Sequence, residues 1–196
     1  MTGLLDQITG LVRLSLEDPR AGVRSLLRLG IPLPARTAGL LLMAVSSALL
    51  IHLGFLILPA ADDPLAQFMS QSPFRSALIQ WLILAASVLL IHRVGRAFGG
   101  KGSLPDALLI VVWLQVIMLM VQVAQLLILI LIPSVAGLAN LAGLVLFFWL
   151  FTSFIAELHG FASRWLVLAG IIGACTTCPT LRPRNTRRRA ASSPVS

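Results

Sequence analysis

Long apolar runs, separated by short clusters of charge, make up most of this chain. Residues 107–156 contain no Asp, Glu, Lys or Arg across fifty positions. Such a stretch has no place on a water-facing surface. About 20 apolar residues cross a hydrocarbon core once, so this run suffices for two crossings. Pro133-Ser134, in its middle, is the natural turn. The same pattern predicts four full spans, near residues 37–58, 74–91, 104–132 and 135–155. A further apolar run, 165–175, has only eleven residues and covers about 16 Å, roughly half a core. The predicted fold is all-α: a polytopic membrane helical bundle of four full spans plus a truncated fifth, preceded by an amphipathic N-terminal region.

In that region Leu4, Leu5, Ile8, Leu11 and Val12 fall on one face of a helix over 3–16. A second short helix follows. Asp18 suits its N-cap, Pro19 its first helical position and Gly30 the residue after its end. Val23, Leu26 and Leu27 form an apolar strip, while Arg20, Arg24 and Arg28 repeat every four residues as a basic one. Apolar and arginine faces side by side predict a helix lying on a membrane surface. Ile31-Pro32-Leu33-Pro34 then stiffens the approach to the first span.

Composition agrees with a membrane location. The chain has 196 residues, 58% hydrophobic and only 11% charged, against about 25% charged in ordinary globular domains. The net charge of +8 would suggest nucleic acid in a soluble protein. Here the cations flank apolar spans, where they set topology and meet anionic lipid head groups, and no nucleic-acid partner is expected. Five arginines precede the first span, the 59–73 loop carries Asp62 and Asp63, and the 92–103 loop carries Arg93, Arg96 and Lys101. The positive-inside rule therefore puts the N-terminus and the 92–103 loop in the cytoplasm, and a bacterial inner membrane is the expected location. No cleavable signal peptide is visible, so the first span is expected to act as an uncleaved insertion signal.

Three regions follow: a cytoplasmic amphipathic segment 1–36, a transmembrane domain 37–174 and a basic tail 175–196. The tail is anomalous. Composition shifts abruptly after Ala174 to Thr, Cys, Pro, Arg and Ser, and Arg182, Arg184, Arg187, Arg188 and Arg189 sit where a full fifth span would lead outward. The tail is either a basic, disordered cytoplasmic extension or out-of-frame sequence that replaces the end of a normal fifth span.

Motifs with chemical meaning are few. Gly95-Arg96-Ala97-Phe98-Gly99-Gly100-Lys101 fits seven positions of a phosphate-binding loop, but Gly102 stands where Ser or Thr would meet Mg²⁺, and the segment follows a membrane span rather than a strand. A flexible turn facing head groups is the simpler reading. Cys175 and Cys178 form a single CxxC without a partner pair. His52, His92 and His159 are too scattered for a metal centre, with His52 read as buried and the other two as interfacial. No cofactor, metal site or catalytic constellation is expected. In the third span Gln115, Met118, Gln122 and Gln125 share one helical face. Amides facing lipid are costly, so this face is expected to point into the bundle or toward a second copy in a homo-oligomer. Gly137, Ala139, Ala142 and Gly143 supply small residues for close packing at the start of the fourth span.

Several stretches together resemble the Yip family of multi-span membrane proteins. They are the Asp18-Pro19 segment, Gly99-Gly100-Lys101-Gly102-Ser103 before the apolar run, and Leu104-Pro105-Asp106-Ala107-Leu108 with Trp113 and Glu157-Leu158-His159-Gly160-Phe161. The last group resembles the bacterial branch. The resemblance spans about residues 15–172 and implies five spans, a cytoplasmic N-terminus and a non-enzymatic role in membrane organisation or recruitment. The family's eukaryotic members interact with Rab GTPases, and that partner is not carried over. The expected function is an adaptor or organiser with an unidentified protein partner. Its contact surface is expected at Arg20, Arg24, Arg28, Arg93, Arg96, Lys101, Glu157 and His159. The alternative is a small permease or lipid-handling protein, with Gln115, Gln122 and Gln125 lining its path.

Overall fold

A computed structural model describes residues 3–57 and 64–160. The described residues form helices α1 (Leu4–Glu17), α2 (Pro19–Arg28), α3 (Leu33–Ile57), α4 (Pro64–Ser70), α5 (Pro73–Ala97), α6 (Leu104–Leu131) and α7 (Ala136–His159), with a 3₁₀ turn at Pro133–Val135. The truncated fifth span, the Cys175–Cys178 pair and the basic tail lie outside the described residues.

Among the described residues four helices are long and apolar enough to cross a bilayer: α3, α5, α6, and α7 with its 3₁₀ turn. At 1.5 Å per residue the 25 residues of α3 reach about 37 Å and the 28 of α6 about 42 Å, each more than a hydrocarbon core. The chain is an integral membrane protein built as an all-helical bundle. Large apolar side chains point outward along the spans, including Leu41, Leu49 and Leu56 of α3, Leu82 and Leu90 of α5, and Leu138 and Val145 of α7. In water such a surface would aggregate. In a bilayer it is solvated by lipid tails.

The helix at the centre is α6. Of its apolar stretch 56% is buried inside the protein, against 28% for α3, 22% for α5 and 28% for α7. Its burial is one-sided along the axis. Ala107 to Val111, Trp113 to Gln115, Ile117 and Met118 are buried, whereas Val123, Leu127, Ile130 and Leu131 are exposed. The first half is enclosed by α3, α5 and α7 together with α2.

The enclosure corrects one expectation. The apolar strip of α2 was expected to rest on lipid, but Val23 and Leu26 are buried and α2 packs against α7 and α6. An amphipathic face cannot distinguish a lipid surface from an apolar protein surface, and here the protein surface is closer. Two small residues permit the docking. A Cβ on Gly22 would lie 2.8 Å from the Ser15 Cα, so α1 and α2 cross in near-backbone contact. At that crossing the Trp113 Nε1–H donates to the Ser15 Oγ (3.0 Å), while Ser15 donates to the Leu11 carbonyl (2.8 Å).

Helix ends follow the local chemistry. Asp18 Oδ1 accepts from the Arg20 and Ala21 N–H groups at 3.0 and 3.1 Å, Pro19 opens α2, and Gly30 takes a positive φ of 59° after its end. Ser103 caps α6 by accepting from the Asp106 N–H. Several boundaries lie beyond the predicted ones. The first span starts at Leu33, because Pro34 is accommodated in an opening turn where its missing N–H is no loss. α5 runs to Ala97, and α7 runs to His159 until Gly160 adopts a φ of 70°. The loop before α5 contains α4, which the apolar pattern did not reveal.

Candidate functional site

The start of α3, the ends of α5 and α7, the start of α6 and the turn 98–103 meet at one end of the bundle, against α2. His159 is at the centre. It is only 3% exposed, so it is enclosed by protein rather than open on the surface. Its Nδ1 lies 3.3 Å from the Gly102 nitrogen and its Nε2 lies 3.1 Å from the Ile91 carbonyl oxygen. A backbone N–H can only donate and a carbonyl can only accept. Nδ1 therefore accepts, Nε2–H donates, and the ring is neutral in one tautomer.

Three glycines make room for this ring. A Cβ on Gly95 or on Gly100 would fall on the imidazole itself, and one on Gly102 would lie 2.7 Å from the Leu158 Cγ and 2.8 Å from the His159 Cε1. The loop that formally resembled a phosphate cradle is thus a clasp on a histidine. The Gly102 N–H that a phosphate would need is already donated to His159. Among the described residues no group of His, Cys, Asp and Glu is placed to hold a metal ion.

Around the clasp the charges pair selectively. Arg24 Nη1 meets Glu157 Oε1 at 3.0 Å and joins α2 to α7. Arg36 Nη1 meets Asp106 Oδ1 at 3.1 Å and the Pro105 carbonyl at 2.6 Å, while its Nε donates to the Ile31 carbonyl. These bonds join the start of α3 to the start of α6. Arg20 is half-buried at the start of α2. Arg28, Arg93, Arg96 and Lys101 are exposed, and none of the four forms an ion pair among the described residues. The sequence-expected contact set therefore divides: four open cations, an ion-paired Arg24 and Glu157, a half-buried Arg20 and a buried His159. Arg36 and Ser15 were not singled out, the three glycines were read as a flexible turn, and Trp113 entered only through the family resemblance. Their signal lay in spacing: small residues at 95, 100 and 102, and an arginine two residues beyond Pro34.

The glutamine row of α6 also divides. Gln115 is buried and its Nε2 donates to the Ser47 Oγ of α3 at 2.7 Å. Further along, Gln125 Nε2 donates to the Ala139 carbonyl at 3.1 Å. Gln122 Oε1 is buried without a hydrogen-bond partner. Gln122 and Gln125 line a cavity with Asn140 of α7 and Gly54 of α3. Asn140 is an amide in an uncharged span and could have been flagged as the glutamines were.

A family model described as the Yip1 domain matches residues 14–179 and so takes in all four spans and the clasp. No curated protein and no solved structure matches the chain.

Proposed function

The chain belongs to the Yip1 domain family, and from that premise we propose that it is a non-enzymatic adaptor that organises membrane processes through the end of the bundle bearing the His159 clasp. The observation that carries the reading is the set of four exposed cations without acidic partners, Arg28, Arg93, Arg96 and Lys101. They come from three segments held together by the clasp and the Arg24–Glu157 pair. A rigid cationic rim at a membrane surface attracts anionic head groups and steers an acidic protein surface toward the same place. The cation excess at this end also supports an orientation with the N-terminus in the cytoplasm of a bacterial inner membrane.

The permease alternative has less in its favour. A path through the bundle would need the amide row to be free along its length, but Gln115 is bonded to Ser47 amid the buried first half of α6.

In-membrane crosslinking of the full chain, gentle detergent purification and mass spectrometry test the adaptor reading. A protein partner should be recovered from the wild type and lost from the Arg93→Ala, Arg96→Ala, Lys101→Ala triple variant. Loss should be partial when salt is raised, because exposed charges are screened. A partner retained equally by wild type and variant at all salt concentrations would refute this assignment of the contact surface.

A further inference from the structure

The cavity between α3, α6 and α7 is independent of the cationic rim. It has a volume of about 260 Å³ and lies between the Gln122–Gln125 turn of α6, Asn140 of α7 and Gly54 of α3, with Leu126 and Leu129 among its apolar walls. Its depth follows from the helix rise. At 1.5 Å per residue Gln122 lies about 27 Å along α6 from Leu104, and Asn140 about 28 Å from the His159 end of α7. A hydrocarbon core is about 30 Å thick. Counted from Ala107, the first residue past Asp106, Gln122 is about 22 Å deep, so the amides lie in the leaflet opposite the clasp, below its head groups, with the apolar residues 126–132 continuing beyond them.

What the cavity lacks defines what it would hold. Gln122 Oε1 is a buried acceptor with no partner, and Asn140 makes no side-chain hydrogen bond among the described residues. Each of these amides can accept through its oxygen and donate through its nitrogen. No charged side chain lines the cavity, so nothing in it selects a net anion. Unpaired amides near hydrocarbon are costly, and a group carrying both a donor and an acceptor would satisfy them. The volume equals that of about nine water molecules in the liquid. It suits a head group whose acyl chains remain in the bilayer, and it is too small for a whole lipid.

We propose that this cavity binds the zwitterionic head group of a phospholipid with N–H donors, of the phosphatidylethanolamine type, from the leaflet opposite the clasp. A turn of the Gln122 side chain brings its buried Oε1 to the cavity to accept from the ammonium, and the amide N–H groups of Gln122 and Asn140 donate to phosphate or ester oxygens. Phosphatidylcholine offers the same phosphate but no N–H, so it leaves the Gln122 oxygen unpaired.

The test uses the full chain in nanodiscs containing equal parts phosphatidylethanolamine, its N,N-dimethyl derivative, phosphatidylcholine and phosphatidylglycerol. Native mass spectrometry after gentle release counts the lipids retained. One average interhelical hydrogen bond in a membrane corresponds to about a threefold preference, and the ammonium–Gln122 bond that phosphatidylcholine cannot make therefore gives about threefold for phosphatidylethanolamine over phosphatidylcholine. The dimethyl lipid keeps one N–H and should be retained above phosphatidylcholine. The Gln122→Leu, Asn140→Leu variant should bring the ratio near one and leave phosphatidylglycerol retention unchanged, since the cations at the other end hold that lipid. Gly54→Leu fills the cavity from α3, where a Cβ meets nothing within 4 Å, and should do the same. Equal retention of phosphatidylethanolamine and phosphatidylcholine by the wild type would overturn the proposal and leave the cavity to water. A preference that survives both variants would place the lipid elsewhere. A preference already lost with the dimethyl lipid would mark a size effect and overturn the donor assignment.

Discussion

Gly95→Ala is the sharpest probe of the clasp. In an exposed helix interior the change from Gly to Ala stabilises by about 1 kcal/mol. Gly95 is inside α5, but a Cβ there would fall on the His159 ring. The ring cannot swing aside without breaking its bonds to the Ile91 carbonyl and the Gly102 N–H. Overpacking costs about 1–3 kcal/mol, and each hydrogen bond contributes about 0.5–1.5 kcal/mol. Taking mid-range values and subtracting the propensity gain leaves a net loss of about 3 kcal/mol. The assay is reversible unfolding in mixed micelles titrated with SDS, with Gly10→Ala as control. Gly10 lies in α1 with nothing within 4 Å of an added Cβ, so that variant should be neutral or slightly more stable. The cycle is completed in a His159→Ala background, where the ring that opposes the new methyl is gone and Gly95→Ala should cost nothing. A coupling near zero, or a Gly95→Ala protein as stable as wild type, would refute the clasp.

Three further substitutions test the packing. Gln115→Leu should destabilise by about 0.6 kcal/mol, and by no more than about 1.7, because it leaves the Ser47 hydroxyl without its donor. Gln122→Leu should be neutral or stabilising in the same SDS titration, since the amide it removes is unpaired. Gly22→Val should separate α1 from α2, because the new side chain meets the Ser15 backbone rather than a movable tip. Limited proteolysis should then release the segment before α2 at least several times faster than in wild type, and unchanged protection would count against the crossing.

The spans were legible because absence of charge over 107–156 admits one solvent only. The ends of α2 were legible because Asp18, Pro19 and Gly30 each act through their own backbone. The end of α5 was misplaced because Arg93 and Arg96 read as a loop. Yet Ile91 before them and Gly95 between them are buried at a spacing of four, so the helical period continues across the charges. The clasp was not legible, because Gly102 and His159 are 57 positions apart and neither residue type demands the other. The inward turn of the amide row followed from the cost of amides in lipid. Which amide finds a partner depends on Ser47 and Ala139, residues without any signal of their own.

The two ends of α6 are built for different tasks. Its first half is held by Arg36–Asp106 at the surface, by Trp113–Ser15 to the N-terminal helices and by Gln115–Ser47 to α3. Such a layer ties α6 to two helices, to α3 through Arg36 and Ser47 and to α1 through Ser15. Beyond Met118 the same helix is half-buried or exposed and borders a cavity in which Gln125 is bonded to Ala139 while Gln122 Oε1 has no partner. Polar ties at one end and an unsatisfied opening at the other make the rim and the cavity separable by mutation.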